Sequence, residues 1–206
     1  MSGAFDLTPL LEPRSVAVVG ASERPDSYGG NVLDNLRRAG YEGAVHGVNP
    51  GRAAARGYPC VPSLSDLPEA PDAVVVAIPA PGVPAVISEA GELGCGGAVV
   101  VSAGFAEVAE GRVLQADLRE VAVAAGIPVC GPNGNGVIAA HARSPLWGDS
   151  VAPLEPGPVA MISQSGNVAV NALGSRRGLR FHTVVSSGNQ AVLEASDWLE
   201  AIARRD

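Results

Sequence analysis

Short apolar runs alternate with stretches of helical periodicity along most of this chain, and this alternation limits the possible folds. Two of the runs hold three consecutive valines, at positions 74–76 and 99–101. Uninterrupted runs of this kind are typical of parallel strands that helices cover on both faces. The pattern predicts strands at residues 15–19, 44–48, 73–78, 98–101 and 127–129, and helices at residues 29–39, 83–93 and 113–125. Residues 1–142 are therefore predicted to form a Rossmann-like, doubly wound parallel α/β domain.

The alternation restarts after a segment rich in proline and glycine. The composition of residues 143–158 predicts a linker. Residues 159–206 then predict a strand at 159–162, a helix at 167–177, a strand at 183–185 and a helix at 195–204. Two β-α units bury too little apolar surface to offset the entropy of an ordered chain. We therefore expect a truncated, incomplete unit here, which further sequence or a partner would complete.

Composition excludes several classes of function. All 14 basic residues are arginine, so no lysine can serve a Walker A loop or form a Schiff base. The net charge of −7 and the lack of a basic stripe argue against nucleic-acid binding. The longest apolar run is too short to span a bilayer, so a cytoplasmic protein with no membrane partner is expected. Cys60, Cys95 and Cys130 lack the spacing of metal ligands, so we expect buried thiols and no metal site.

The loop after the first predicted strand has the composition of a phosphate-binding loop. The strand is followed by Gly20, Ala21 and Ser22, and the next helix is preceded by Ser27, Tyr28 and Gly29. In a doubly wound sheet such a loop lies at the carboxyl edge, where free backbone amides and a helix N-terminus attract phosphate. The alternative is an ordinary glycine-rich turn.

The end of the second predicted strand narrows the choice of ligand. An NAD site would place a carboxylate there to bind the ribose hydroxyls. This chain instead has Asn49, Pro50, Gly51 and Arg52. An arginine suits a ligand with a further phosphate on its ribose, because a guanidinium binds phosphate bidentately. Both coenzyme A and NADP meet this description, and the residues leave the two open.

Seven short motifs occur in an order that spans essentially the whole chain. They are Val18-Val19-Gly20-Ala21-Ser22, Val48-Asn49-Pro50, Ile78-Pro79-Ala80-Pro81, Ser102-Ala103-Gly104-Phe105-Ala106-Glu107, Gly131-Pro132-Asn133, Ile162-Ser163-Gln164-Ser165-Gly166 and Ser187-Gly188-Asn189. In this order they resemble the NDP-forming (ADP-forming) acyl-CoA synthetases, the superfamily of acetate-CoA ligase and the succinyl-CoA synthetase α subunit. The resemblance implies an N-terminal CoA-binding domain, followed by the start of a succinyl-CoA-ligase-like flavodoxin-type domain. Gly134-Asn135 departs from the usual family pattern after Gly-Pro-Asn.

The resemblance also implies roles for individual residues. The CoA phosphates would be held by Gly20, Ala21, Ser22, Ser27, Tyr28 and Gly29. The remaining CoA contacts would be Asn49, Pro50, Arg52, Ile78, Pro79, Ser102 and Ala103. A transferred phosphoryl group would be bound by Asn133, Ser163, Ser165, Gly166 and Asn167. The family glutamate that positions a carrier histidine is matched to Glu200, with Glu194 as second choice. Each of these positions also has an ordinary structural alternative, namely a turn, a strand end, a helix cap or a solvated helix face.

The family reaction makes acyl-CoA from a carboxylic acid, CoA and ATP through an acyl phosphate and a phosphohistidine. His46, His141 and His182 do not match the carrier histidine, so we expect this residue and the ATP-grasp domain to lie outside this chain. ATP, ADP and Mg²⁺ would come only through that ATP-grasp domain or subunit, and the fragment alone would be inactive. A homo-oligomer is possible. Two alternatives stay open: a non-catalytic Rossmann-type module that senses NAD(P) or CoA, and an interaction module completed by another subunit.

Overall fold

A computed structural model describes residues 5–175 and 177–205, which form an α/β fold with two sheets. The larger sheet has seven strands: β1 (Ser15–Val19), β2 (Ala44–Val48), β3 (Ala54–Ala55), β4 (Tyr58–Val61), β5 (Ala73–Val76), β6 (Gly97–Val100) and β7 (Val129–Cys130). Their order is β3-β4-β2-β1-β5-β6-β7, and every pairing is parallel except that of β3 with β4. Successive units leave β1 in opposite directions, to β2 on one side and to β5 on the other. This reversal confirms the predicted doubly wound class.

Four helices accompany this sheet: α1 (Thr8–Leu11), α2 (Tyr28–Ala39), α3 (Val83–Glu92) and α4 (Arg112–Ala124). Short 3₁₀ turns occupy residues 64–66, 80–82 and 109–111. The valine runs of β5 and β6 are fully buried, as expected for strands covered on both faces. None of the helices in the described ranges has the length and apolar character that a membrane span requires.

The second sheet has four strands, in the order β10-β11-β8-β9. These are β8 (Gly136–Ala139), β9 (Ser144–Trp147), β10 (Val159–Ser163) and β11 (Phe181–Ser186), and the helices of this part are α5 (Gly166–Leu173) and α6 (Ala195–Ala203). The strands β10 and β11 pair in parallel, while β8 pairs antiparallel with both β11 and β9.

The hairpin of β8 and β9 differs from the sequence-based expectation. Residues 143–158 were expected to be a linker, but β9 lies inside this segment and is buried along its whole length. The reason is a contact distant in sequence: Asn35 of α2 donates hydrogen bonds to the carbonyls of Trp147 (2.8 Å) and Asp149 (2.7 Å). Proline is tolerated in β9 because this strand lies at the edge of the sheet.

One hydrophobic cluster joins the two sheets. It contains Val16 and Leu33 from the first unit together with Leu146, Val185 and Trp198 from the second. A separate cluster fills the other face of the first sheet, under α3 and α4. The two sheets therefore share part of their core, and loops from both meet at the carboxyl ends of the strands.

Candidate functional site

The loop that follows β1 lies at the point where the sheet order reverses. Gly20 has a φ of +89°, and its N–H donates to the carbonyl of Val48 at 3.0 Å. A Cβ at this position would lie 2.3 Å from the carbonyl oxygen of Ala77. Only glycine therefore allows the chain to pass between the ends of β2 and β5. Ligands of doubly wound sheets bind at this crevice.

The first turn of α2 packs directly against this loop. A Cβ on Gly29 would lie 2.2 Å from the carbonyl oxygen of Gly20. The N-cap residue Ser27 makes no side-chain cap, because its Oγ donates instead to the carbonyl of Arg24 at 2.8 Å. Tyr28, which is half exposed, follows it. The helix thus begins with amides that no side chain caps, a geometry that suits an anion.

Asn49 connects the end of β2 to the same loop. Its Nδ2 donates to the carbonyl of Ala21 (2.8 Å), and its Oδ1 accepts from the N–H of Gly51 (2.9 Å). The N–H of Arg52 donates to the carbonyl of Asn49 at 3.3 Å, and the Arg52 side chain is exposed. Among the residues described, the ion pairs do not include Arg52. Asn49 therefore shapes the loop, while Arg52 presents a guanidinium to solvent.

A cleft of about 290 Å³ opens at this edge of the sheet. Gly20, Asn49, Pro50 and Ile78 all line it, and these predicted residues come from three different loops. Ala21 and Ser22 of the same loop are buried and do not line the cleft, and the Oγ of Ser22 accepts from the N–H of Arg24 at 3.1 Å. Leu64, Val86 and Glu89 complete much of the wall.

Ser102 lies at the neighbouring strand end and fastens two of the predicted loops together. Its Oγ donates to the carbonyl of Ile78 at 2.6 Å, and the residue is buried. Pro79 and Ala103 are exposed on either side of this contact. Pro79 and Ala103 are therefore at the surface beside a buried contact between the two loops, and Ile78 also lines the cleft.

The predicted phosphoryl loops are connected to this surface by hydrogen bonds. The N–H of Asn133 donates to the carbonyl of Ser102 (2.9 Å), and the N–H of Asn189 donates to that of Pro132 (2.8 Å). The N–H of Ser187 donates to the carbonyl of Ser163 at 2.9 Å. A continuous path of backbone contacts therefore leads from the first sheet to the end of β10.

The turn between β10 and α5 holds the other predicted phosphoryl residues. The Oγ of Ser163 accepts from the N–H of Ser165 (3.2 Å) and donates to its carbonyl (3.0 Å). Ser165 is the N-cap of α5 but makes no side-chain cap, so the structural alternative of a hydroxyl cap is not seen at this residue. Gly166 lies against Asn135, and Asn167 is exposed.

Glu107 joins the two sheets through side chains. Its carboxylate accepts hydrogen bonds from the N–H groups of Gly104 and Phe105 and from Nδ2 of Asn189 (2.6 Å). Burial raises the pKa of Glu107, but the hydrogen bonds from Gly104, Asn189 and Phe105 outweigh it and hold this pKa below its ordinary value. In the sequence Glu107 stands out only as the last residue of the motif 102–107, because a contact between distant loops leaves no local signal.

Glu200 and Arg56 are both engaged in contacts within the protein. Glu200 lies on the exposed side of α6 and forms an ion pair with Arg204, and Glu194 is the N-cap of the same helix. Arg56 carried no signal in the sequence, although its side chain donates hydrogen bonds to the carbonyls of Ser22 and Arg24 in the glycine-rich loop.

The three cysteines are free thiols, two of them buried. Burial raises the pKa of Cys95 to about 11 and that of Cys130 to about 12.

Comparison with protein families decides the classification. The family model of a CoA binding domain matches residues 14–140, and that of a succinyl-CoA ligase like flavodoxin domain matches residues 156–206. The chain belongs to this CoA-binding domain family. The second match covers β10, β11, α5 and α6, where the motifs also predict a ligase-type unit.

Relatives of known function agree with this classification. Acetate-CoA ligase [ADP-forming] I of Archaeoglobus fulgidus is 40% identical over 96% of this chain and 29% of the relative. The α subunit of acetate-CoA ligase [ADP-forming] I of Pyrococcus furiosus is 35% identical over 95% of this chain and 44% of the relative. The chain thus spans less than half the length of these relatives.

Solved structures share the fold. An acetyl-coenzyme A synthetase 1 of Ca. Korarchaeum cryptofilum in its apo form superposes with a TM-score of 0.89 at 35% identity, over 98% of this chain and 44% of that chain. A protein of Pyrococcus horikoshii OT3 gives a TM-score of 0.91 at 29% identity, over 97% of this chain and 46% of that chain.

Proposed function

We propose that this CoA-binding domain binds coenzyme A at the carboxyl edge of the first sheet. The observation that carries the proposal is the cleft of about 290 Å³, in which predicted CoA residues from three loops meet. Coenzyme A fits the hydrogen-bond donors of this chain. Gly20 and Gly29 keep the loop 20–29 close to the first turn of α2, where amides favour a phosphate. The exposed Arg52 stands where an NAD site would have a carboxylate.

The loops suggest how the ligand would lie. The loop 20–29 would hold the diphosphate with its amides, and Arg52 would contact the phosphate on the ribose. Asn49 and Pro50 shape the cleft between them, and Ile78 provides an apolar wall. The pantetheine arm would follow Pro79, Ser102 and Ala103 towards Asn133.

We further propose that the chain is the CoA-binding part of an ADP-forming acyl-CoA synthetase. In the family reaction, a phosphoryl group passes from ATP through a histidine to a carboxylic acid, and the CoA thiol then displaces phosphate from the acyl phosphate. Ser163, Ser165, Gly166 and Asn167 would hold the phosphoryl group at the start of α5, where unpaired amides favour an anion. The carboxylic acid itself stays unassigned.

Full turnover would need groups from outside the residues given. Relatives named as α subunits support a partner that brings the ATP-grasp domain, and with it ATP, ADP and Mg²⁺. Glu200 is exposed on α6 and would be available to orient the carrier histidine once its ion pair with Arg204 opens. We propose this role for Glu200 only in the complete enzyme.

Isothermal titration calorimetry of the purified chain tests the binding proposal. We expect CoA to bind and NADP to bind much more weakly. NADP binding without CoA binding would support the alternative of a Rossmann-type sensing module and overturn this one. Adding an ATP-grasp partner from an α/β-type relative, together with the family histidine segment, should then give acyl-CoA from CoA, ATP and one of a panel of carboxylic acids.

A further inference from the structure

Arg56 lies in the turn between β3 and β4 and reaches back to the glycine-rich loop. Its Nε donates to the carbonyl of Ser22 (3.3 Å), and its Nη2 donates to the carbonyl of Arg24 (2.9 Å). Its backbone N–H donates to Oε1 of Glu23 at 2.6 Å. Three consecutive loop residues are therefore held by one residue that lies 32 to 34 positions further along the chain.

The same guanidinium also contacts α2. Its Nη1 lies 3.2 Å from Oδ2 of Asp34. A Cβ on Gly30 would lie 3.2 Å from Nε of Arg56 and 2.8 Å from the carbonyl oxygen of Ser22. Gly30 therefore leaves room for the guanidinium between the loop and the first turn of the helix. Arg37 contacts both partners of this ion pair: it donates a hydrogen bond to the backbone carbonyl of Arg56 (2.8 Å) and forms an ion pair with Asp34.

The charge of Arg56 is balanced within the protein. Asp34 lies at 3.2 Å and Glu23 at 4.0 Å, and the Arg56 side chain is 23% exposed. A guanidinium has only N–H donors, held in a fixed planar geometry, and each of its three nitrogens already has a partner here. The carbonyl of Ser22 gains a donor that it would otherwise have to find in water, and the carbonyl of Arg24 gains a further donor besides Oγ of Ser27. Arg56 thus differs from the exposed Arg52, which faces solvent.

We propose that Arg56 is a positioning residue of the CoA site, which fastens the loop 20–27 against α2 in the conformation that receives the CoA phosphates. This inference rests on the proposed CoA binding. A loop that is ordered before the ligand arrives loses less conformational entropy on binding, so affinity rises without a direct contact.

The test compares the variants Arg56→Ala and Arg56→Lys by titration calorimetry with CoA and with dephospho-CoA. Arg56→Ala should weaken both ligands by about tenfold and to the same extent, since the loop and not the ribose phosphate has lost its partner. Arg56→Lys should be intermediate, because an ammonium cannot reproduce the fork. Low millimolar guanidinium should restore much of the CoA affinity of Arg56→Ala, and methylammonium should restore less.

Arg14→Ala is the matched control, because it removes an ion pair with Asp72 (3.0 Å) next to the amino end of β1. It should leave CoA affinity unchanged.

If the wild-type chain does not bind CoA, the proposed function is wrong. If it binds CoA and Arg56→Ala binds equally well, the positioning role is wrong. A loss confined to CoA and sparing dephospho-CoA would make Arg56 a direct ligand, and a loss that guanidinium does not rescue would make it a general structural residue. Either result overturns the inference.

Discussion

At the scale of single residues, Arg52 and Arg56 have different electrostatic surroundings, which is why we propose different roles for them in CoA binding. Arg56 is enclosed by Glu23, Asp34 and two carbonyls, whereas Arg52 is exposed beyond the end of β2. The chain has no lysine that could replace either of them. The exposed guanidinium of Arg52 can make charge-assisted hydrogen bonds to a ligand phosphate, whereas most donors of Arg56 already have partners within the protein.

Arg52→Ala should therefore weaken CoA more than dephospho-CoA. We expect a selective loss of about 1.5 kcal/mol, the size of one charge-assisted hydrogen bond at an exposed position. Titration calorimetry with the two ligands measures the difference directly, and dephospho-CoA is the internal control. An equal loss for both ligands would place Arg52 away from the ribose phosphate.

Gly134, which with Asn135 departs from the usual family pattern, is packed against backbone atoms at the end of β11 and in the loop that follows it. A Cβ at this position would lie 2.4 Å from the carbonyl oxygen of Ser186 and 2.9 Å from the amide nitrogen of Gly188. Gly134→Ala should lower the free energy of unfolding by about 1–3 kcal/mol, because backbone atoms must move to admit the methyl group. Urea denaturation checks this value. Gly174→Ala is the control, since its Cβ would meet only an ordinary contact at 3.4 Å; equal losses in both variants would contradict the packing argument.

At the scale of elements, α2 is hydrogen-bonded to the end of β9 by the buried amide of Asn35 and by Asn31, whose Nδ2 donates to the carbonyl of Gly148 at 3.0 Å. Besides its two carbonyl partners, Asn35 accepts from the N–H of Val151 (3.1 Å) and from Arg38 through its Oδ1. Asn35→Ala should cost about 3 kcal/mol, because it leaves buried backbone groups without partners. Urea denaturation measures the loss of stability. In the variant, amide hydrogen exchange should become faster in β9 than in the wild-type chain, with a smaller change in β1. Asn171→Ala, which removes an exposed contact, should change stability little. A similar cost in both variants would rule out this anchoring.

Elements whose cause lies in their own sequence were predicted, and those caused by distant contacts were not. The bounds of β1 and β2 match the prediction because each is a short segment that contains valines, ended by glycine after β1 and by asparagine and proline after β2. The hairpin of β3 and β4 and that of β8 and β9 were missed, since strands of two to four residues with proline carry no period. Of the residues that line the cleft, Gly20, Asn49 and Pro50 were proposed from the loop sequences and Ile78 from the family resemblance. Arg56 gave no such signal, because its contacts exist only in the folded chain.

At the scale of the whole molecule, the two sheets are joined by a shared core and by the loops at their carboxyl ends. The core contact involves Leu146, Val185 and Trp198. The loop contact centres on Glu107, which links the loop after β6 to Asn189 of the second sheet. In the proposed enzyme these loops would bring CoA and the phosphoryl group together, so their connection would control the reaction geometry.

Lowering the pH should loosen the connection that Glu107 makes between the sheets. Its pKa is lower in the folded protein than in the unfolded chain, so the carboxylate stabilises the fold above its ordinary pKa, and this stabilisation is lost as the pH falls through the folded value. Urea denaturation at about pH 7 and about pH 3 should show a smaller difference for Glu107→Gln than for the wild-type chain. Glu110→Gln, at an exposed position of the 3₁₀ turn 109–111, should keep the wild-type difference. If Glu107→Gln keeps it as well, the ionised carboxylate is not what holds the two loops together.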